Sequence, residues 1–109
     1  MKWSIAYLPE AAKDLKKLDH SVRVQVLTGI EKVAQDPLPK QEGGYGKPLG
    51  NRTGSTLAGL LKIKFRALGI RVVYKLEYDD STMKIIVISV RADEQVYREA
   101  SRRRTKYKL

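Results

Sequence analysis

From Leu61 to Arg66 the chain reads Leu-Lys-Ile-Lys-Phe-Arg, with apolar and cationic residues alternating without a break. That period of two suits a strand: it sends Leu61, Ile63 and Phe65 to one face and Lys62, Lys64 and Arg66 to the other. One face of a sheet must therefore be buried, while the opposite face carries three cations ~7 Å apart along the strand. Like charges so placed repel one another, and an anion lodged among them relieves the repulsion. Lysine and arginine on an exposed sheet face also guard against aggregation, so the alternation by itself leaves both readings open.

Two further β-type runs follow, Ile70 to Tyr78 and Met83 to Val90, and the first run extends back to Leu57. The separators, Ala67-Leu68-Gly69 and Asp79-Asp80-Ser81-Thr82, are of hairpin length. At the start of the chain Trp3, Ile5 and Tyr7 alternate with Ser4, Ala6 and Leu8 until Pro9 ends the strand pattern. Pro9 suits the first turn of a helix in which Ala11 or Ala12, Leu15 and Leu18 recur at helical spacing. Asp19 is the expected cap of a second helix carrying Val22, Val26, Ile30 and Val33, which stops at Asp36-Pro37-Leu38-Pro39. Residues 37–54, rich in Gly, Pro and polar side chains, read as a long surface loop. Asp93 is a candidate cap for a terminal helix with Val96, Tyr97 and Ala100 on its inner face. Beyond it Arg102, Arg103, Arg104, Lys106 and Lys108, with no acid after Glu99, read as a frayed basic tail over about 102–109.

A chain of 109 residues allows a single domain, 1–109. The element order predicts a small α+β fold: an N-terminal strand, a helical hairpin packed on an antiparallel sheet, and a C-terminal helix. The hairpin should cover one sheet face and leave the other at least partly open to solvent, with function on the open side.

Composition then removes whole classes of chemistry. There is no cysteine and one histidine, His20, which excludes disulfide scaffolds, thiol catalysis, Cys-ligated zinc and a Ser-His-Asp relay built within the chain. The clustered carboxylates Asp79-Asp80 and Asp93-Glu94 read as a turn and a helix start, so no metal site and no cofactor are expected. No apolar stretch approaches the ~18 residues of a membrane span and no signal-peptide core is present, so a cytoplasmic protein without membrane contact is expected.

The formal net charge is +10, which points to a polyanionic partner. The charge is also concentrated: between Glu42 and Glu77 lie 34 residues with no carboxylate and seven cations, Lys47, Arg52, Lys62, Lys64, Arg66, Arg71 and Lys75. In the run after Gly69, Arg71, Val73, Lys75 and Glu77 fall on one face and Val72, Tyr74, Leu76 and Tyr78 on the other. If Arg71 shares the face of Lys62 and Lys64, the hairpin presents a patch able to grip a phosphodiester. Arg91 and Tyr97 are placed to border it, although Tyr97 also fits the inner face of an amphipathic helix.

The chain resembles the RelE-type toxins of bacterial toxin–antitoxin pairs, within the RelE/ParE superfamily. The likeness runs from Lys13-Asp14-Leu15-Lys16-Lys17-Leu18-Asp19 through the Lys-Pro-Leu of the loop. Its most specific part is Lys62-Ile63-Lys64-Phe65-Arg66-Ala67-Leu68-Gly69-Ile70-Arg71-Val72-Val73-Tyr74, followed by Val87-Ile88-Ser89-Val90 and Val96-Tyr97-Arg98-Glu99-Ala100. The resemblance implies an endoribonuclease that cuts mRNA in the ribosomal A site and is silenced by a cognate antitoxin, with which it forms a hetero-oligomer. By motif position it implies a catalytic set of Lys62, Lys64, Arg71, Arg91 and Tyr97. Lys47, Arg52, Arg66, Lys75, Arg102 and Arg103 are the expected RNA-phosphate contacts. Superfamily members that poison DNA gyrase share the fold without this basic set, so the lysines favour RNA cleavage. The chemistry is consistent with the inventory. RNA supplies its own nucleophile, the 2′-hydroxyl, and the protein need add only a proton acceptor, a proton donor and cations for the charge that develops on phosphorus. The implied products are a 2′,3′-cyclic phosphate and a 5′-hydroxyl.

Overall fold

The computed structural model describes residues 2–49 and 57–109. Three strands, β3 (Leu60–Phe65), β4 (Ile70–Glu77) and β5 (Thr82–Ser89), pair as an antiparallel meander. Gly69 takes the left-handed conformation (φ +66°) in the first turn, where an L side chain would be strained. β1 (Ser4–Tyr7) lies parallel to β5, and the two-residue β2 (Lys47–Pro48) lies antiparallel to β3, giving the order β1-β5-β4-β3-β2. The sheet is therefore mixed rather than wholly antiparallel. The segment expected as loop supplies β2 and a short helical turn at Lys40–Glu42; alternation is invisible in a strand of two residues.

α1 (Pro9–Lys16) begins with Pro9 at its first position after Leu8, where a missing N–H costs nothing. β1 pairs only the first half of β5, from Thr82 to Ile85. Beyond that, α1 borders the same edge: the Ile88 N–H donates to Asp14 Oδ2 at 3.1 Å, so an edge donor is satisfied by a side chain. Three residues separate α1 from α2 (His20–Val33). Asp19 stands at its N-cap position, but its side chain makes no cap bond. The joint is held from the other side, where Arg23 donates to the carbonyls of Leu15 (3.2 Å), Lys16 (3.0 Å) and Leu18 (2.9 Å) at the open end of α1.

α2 buries Val26, Ile30 and Val33. At Gly29 an added methyl group would run into the Phe65 ring, so the glycine permits close approach of helix and strand at a helix-propensity cost of ~1 kcal/mol. That contact fixes which sheet face α2 covers: the one bearing Leu61, Ile63 and Phe65, joined by Val72, Tyr74 and Leu76 through the β3–β4 and β4–β5 registers. Tyr74 is fully buried there and its hydroxyl donates to the Pro37 carbonyl at 2.8 Å. Burial, aided by the Asp36 charge, pushes that hydroxyl's pKa upward.

The opposite face is not left open. α3 (Asp93–Lys106) lies over it and buries Val96, Tyr97 and Ala100, as Val73 and Val87 are buried on the cation-bearing face. The frayed tail is likewise corrected: the helix continues to Lys106, and Arg103 is 8% exposed. Its guanidinium donates to Asp14 Oδ2 (2.7 Å), Glu99 Oε2 (2.6 Å) and the Ile86 carbonyl (2.9 Å). Ile86 is the extra residue of β5 at a bulge, where pairing steps from Val73–Val87 to Tyr74–Ile85. The end of the helix is fastened to the start of α1 by the Tyr107 hydroxyl (2.6 Å) and Lys106 ammonium (3.0 Å), both donating to Glu10. These two hydrogen bonds hold the Glu10 carboxyl at about 2, well below its ordinary 4.5.

Candidate functional site

The sheet register decides what strand period left open. Lys64 stands directly opposite Arg71, which stands opposite Ser89, and Lys62 stands between Lys47 on β2 and Val73 on β4. Directly opposed residues share a face, so Lys47, Lys62, Lys64 and Arg71 all lie on the side covered by α3. The helix covers the middle of that face and the cations lie at its margin, half-buried except for the exposed Lys47.

The segment entering α3 supplies a partner to each of three cations. Lys62 Nζ donates to the Tyr97 hydroxyl at 2.6 Å and lies 5.4 Å from the centre of its ring. Tyr97 is thus both things the sequence allowed, a core aromatic at 4% exposure and a hydroxyl presented to the cation row. Arg71 Nη1 donates to the Arg91 carbonyl at 2.9 Å, and Arg71 Nε is ion-paired with Asp93 Oδ1. Lys64 Nζ lies 3.4 Å from Asp93 Oδ2. Partial desolvation tends to raise the Asp93 carboxyl's pKa, but hydrogen bonding and charge from Arg71, then Lys64, outweigh it and hold the group below its ordinary value.

Asp93, which the sequence offers only as a candidate helix cap, is the further member of this cluster. It is the first residue of α3, after Ala92 at the N-cap, and its carboxylate lies between two cations of the sheet. The 34-residue stretch without carboxylates receives its counterion from a residue seventeen positions beyond its end (93 − 76 = 17). No local pattern signals such a pairing.

The remaining candidates separate. Arg91 is exposed just past β5: its backbone N–H donates to Ser89 Oγ at 3.0 Å, its carbonyl holds Arg71, and its side chain lines a groove of about 780 Å³ with Lys17, Arg98 and Arg102. Arg66 is exposed in the β3–β4 turn and, with Lys64 and Arg71, lines a depression of about 360 Å³ beside the cation row. Lys75 shares the cation face but stands between Leu60 and Lys84, beyond Val73 from Arg71. Arg102 is exposed, with Nη2 on Glu99 at 2.6 Å. Arg103, expected on RNA, is instead enclosed by Asp14, Glu99 and the Ile86 carbonyl, an ion-pair cluster that joins α3, α1 and β5. Arg52 lies outside the described residues. Among the described residues no group of three or more His, Asp or Glu side chains is gathered to hold a metal ion, and no helix is long and apolar enough to cross a membrane.

The site therefore offers an oxygen that can exchange a proton, an ammonium donating to that oxygen, and a guanidinium–ammonium pair already holding one carboxylate. Such a pair matches the charge and donor geometry of a phosphodiester.

Comparison with known proteins identifies the fold and the family. The chain is similar over 94% of its length to a double arginine-to-alanine mutant of the Escherichia coli toxin RelE in the free state, with TM-score 0.72, 24% identity and 98% of that chain covered. The isolated E. coli RelE toxin matches with TM-score 0.67 and 24% identity over 98% of this chain and 99% of that one. A RelBE2 toxin–antitoxin complex from Mycobacterium tuberculosis matches with TM-score 0.66 and 24% identity, covering 85% of this chain and 95% of that one. These likenesses establish a shared fold. Among curated proteins no relative matches the chain. The family model for the ParE toxin of the type II toxin–antitoxin system parDE matches residues 5–97, and the chain accordingly belongs to that toxin family, within the RelE/ParE superfamily.

Proposed function

We propose that this toxin is a ribosome-dependent endoribonuclease that cuts mRNA through the RNA's own 2′-hydroxyl, without a metal ion. The observation that carries this reading is the Lys62–Tyr97 hydrogen bond set beside the Lys64–Arg71 pair on one sheet face. Tyr97 acts as its phenolate, which the Lys62 ammonium stabilises by donating to the phenol oxygen, and takes the 2′-hydroxyl proton to become the neutral phenol. Arg71 and Lys64 grip the non-bridging oxygens as the phosphorane forms. Arg91, whose side chain extends from the segment that holds Arg71, assists departure of the 5′-oxygen. Attack of the 2′-oxygen on phosphorus breaks the P–O5′ bond, the departing 5′-oxygen takes a proton from a solvent water beside Arg91, and the products are a 2′,3′-cyclic phosphate and a 5′-hydroxyl. Lys47 and Arg66 flank the row and, with Lys75 and Arg102 farther off, bind neighbouring phosphates. A cognate antitoxin silences the protein by direct association; solved relatives include toxin–antitoxin complexes, among them E. coli RelE with a RelB peptide.

The family model names parDE, which favours a second reading: gyrase inhibition on the same fold, with no RNA chemistry. The two part at Lys62 and Lys64. On induction, Lys62→Ala/Lys64→Ala should abolish growth arrest and mRNA cutting together, since one positioned charge donor is worth ~10² to 10³ in rate. Persistent arrest with a fall in DNA supercoiling would establish the gyrase reading. Cutting should also survive EDTA at magnesium levels that keep ribosomes whole.

A further inference from the structure

We infer that Asp93 is an internal stand-in for the substrate phosphate, occupying the Lys64–Arg71 pair in the free protein and setting how tightly RNA binds. The inference rests on the nuclease reading only for the class of ligand. Its structural basis is independent: one carboxylate oxygen meets Arg71 Nε while the other faces Lys64 Nζ at 3.4 Å. Arg71 is held on its other side by the Arg91 carbonyl, so its planar fork keeps its orientation when the carboxylate leaves. The side chains of Asp93, Arg71 and Lys64 are each about 27–28% exposed, so the cluster has a solvent-facing edge from which a ligand can displace the carboxylate, although Arg71 Nε and Asp93 Oδ1 are themselves buried where they meet. A carboxylate and a phosphodiester present the same thing to a guanidinium, two oxygens sharing negative charge, and both cannot hold the same N–H donors.

The consequence concerns counterions. The condensed counterions belong to the RNA, and a cation whose charge a neighbouring Asp93 still offsets neutralises a phosphate less fully and releases fewer of them. Removing the carboxylate should tighten RNA binding and make it more sensitive to salt. Glu94 provides the control: it is the next residue, in the same first turn of α3, exposed, and it makes no ion pair with Lys64 or Arg71. Glu94→Gln removes the same unit of charge from the same turn without touching the cation row.

The test is fluorescence anisotropy of the full chain with an end-labelled, single-stranded 2′-O-methyl RNA 12-mer, which cannot be cleaved, across a salt series. Asp93→Asn should bind about fivefold tighter than wild type at low salt. Its plot of log affinity against log salt should steepen by ~0.7 for each cation freed. Asp93→Glu should behave as wild type, and Glu94→Gln should change affinity less than twofold with no change of slope. If Asp93→Asn disturbs the fold by circular dichroism, Asp93→Ser, which keeps a polar group at the helix start, takes its place. Binding by the Asp93 variant that is unchanged, weaker, or equal to that of Glu94→Gln overturns the inference. Cleavage is not the readout, so the two readings fail separately. A wild-type protein that cuts no mRNA while Asp93→Asn binds tighter sinks only the nuclease reading; cutting with no Asp93 effect sinks only this one.

Discussion

Arg71 and Arg103 are held alike, each by carboxylate oxygens and one backbone carbonyl and each tying a strand to α3, but the two clusters lie in different surroundings. Arg103 meets Asp14, Glu99 and the Ile86 carbonyl with a side chain only 9% exposed, so its donors are spent inside the protein. Arg71 meets Asp93 and the Arg91 carbonyl with a side chain 27% exposed, beside an open depression. A guanidinium enclosed by its partners serves the fold; one in a part-exposed cluster can exchange its carboxylate for a ligand.

The sharpest way to break this comparison is to delete each arginine and read both stability and activity. Arg103→Ala strands the Asp14 carboxylate beside β5 and leaves the Ile86 carbonyl without its donor, and should cost about 4 kcal/mol in urea unfolding. Arg71→Ala should cost at most ~1 kcal/mol, because a part-exposed pair contributes little, while lowering mRNA cutting by ~10² to 10³. If the two variants exchanged these phenotypes, the assignment of roles would be reversed.

Acid should loosen the lower end of α3. The folded pKa of Glu10, at about 2, lies below its ordinary 4.5, so the contribution of the Tyr107 and Lys106 hydrogen bonds is fully present above pH 4.5 and is lost as pH falls toward 2. Amide protection at Tyr107 and Lys108, taken relative to the intrinsic exchange rate at each pH, should fall over that window, and Glu10→Gln should flatten the response. The smallest effect is expected at Arg102, an exposed cation shared with Glu99. Arg102→Ala should leave stability unchanged and reduce the salt slope of RNA binding by at most ~0.7.

The contrast also explains how far sequence reading reaches. Alternation in Leu61–Arg66 correctly put Lys62 and Lys64 on one face, because strand period is local and the apolar residues had one place to go. Cross-strand register then placed Arg71 opposite Lys64, which period alone left open. Arg103 was misassigned because a run of basic residues resembles a solvated tail. Yet the helical spacing of Val96, Ala100 and Arg103 continues inward, and following it one turn further would have turned Arg103 toward the core. Asp93 had no comparable signal, since its partners lie 29 and 22 positions upstream (93 − 64 = 29 and 93 − 71 = 22) and meet it only when α3 folds over the sheet. The parallel pairing of β1 with β5 likewise joins distant parts of the chain.

The Lys62–Tyr97 couple is most directly tested by primer extension on an mRNA translated in vitro with wild-type protein and with Tyr97→Phe. The phenylalanine ring refills the same buried space and only the hydroxyl that Lys62 holds is lost. Ribosome-dependent cuts with wild type, reduced at least ~10²-fold by Tyr97→Phe with folding intact, are the predicted result. Equal cutting by both proteins, or none by wild type, would contradict it.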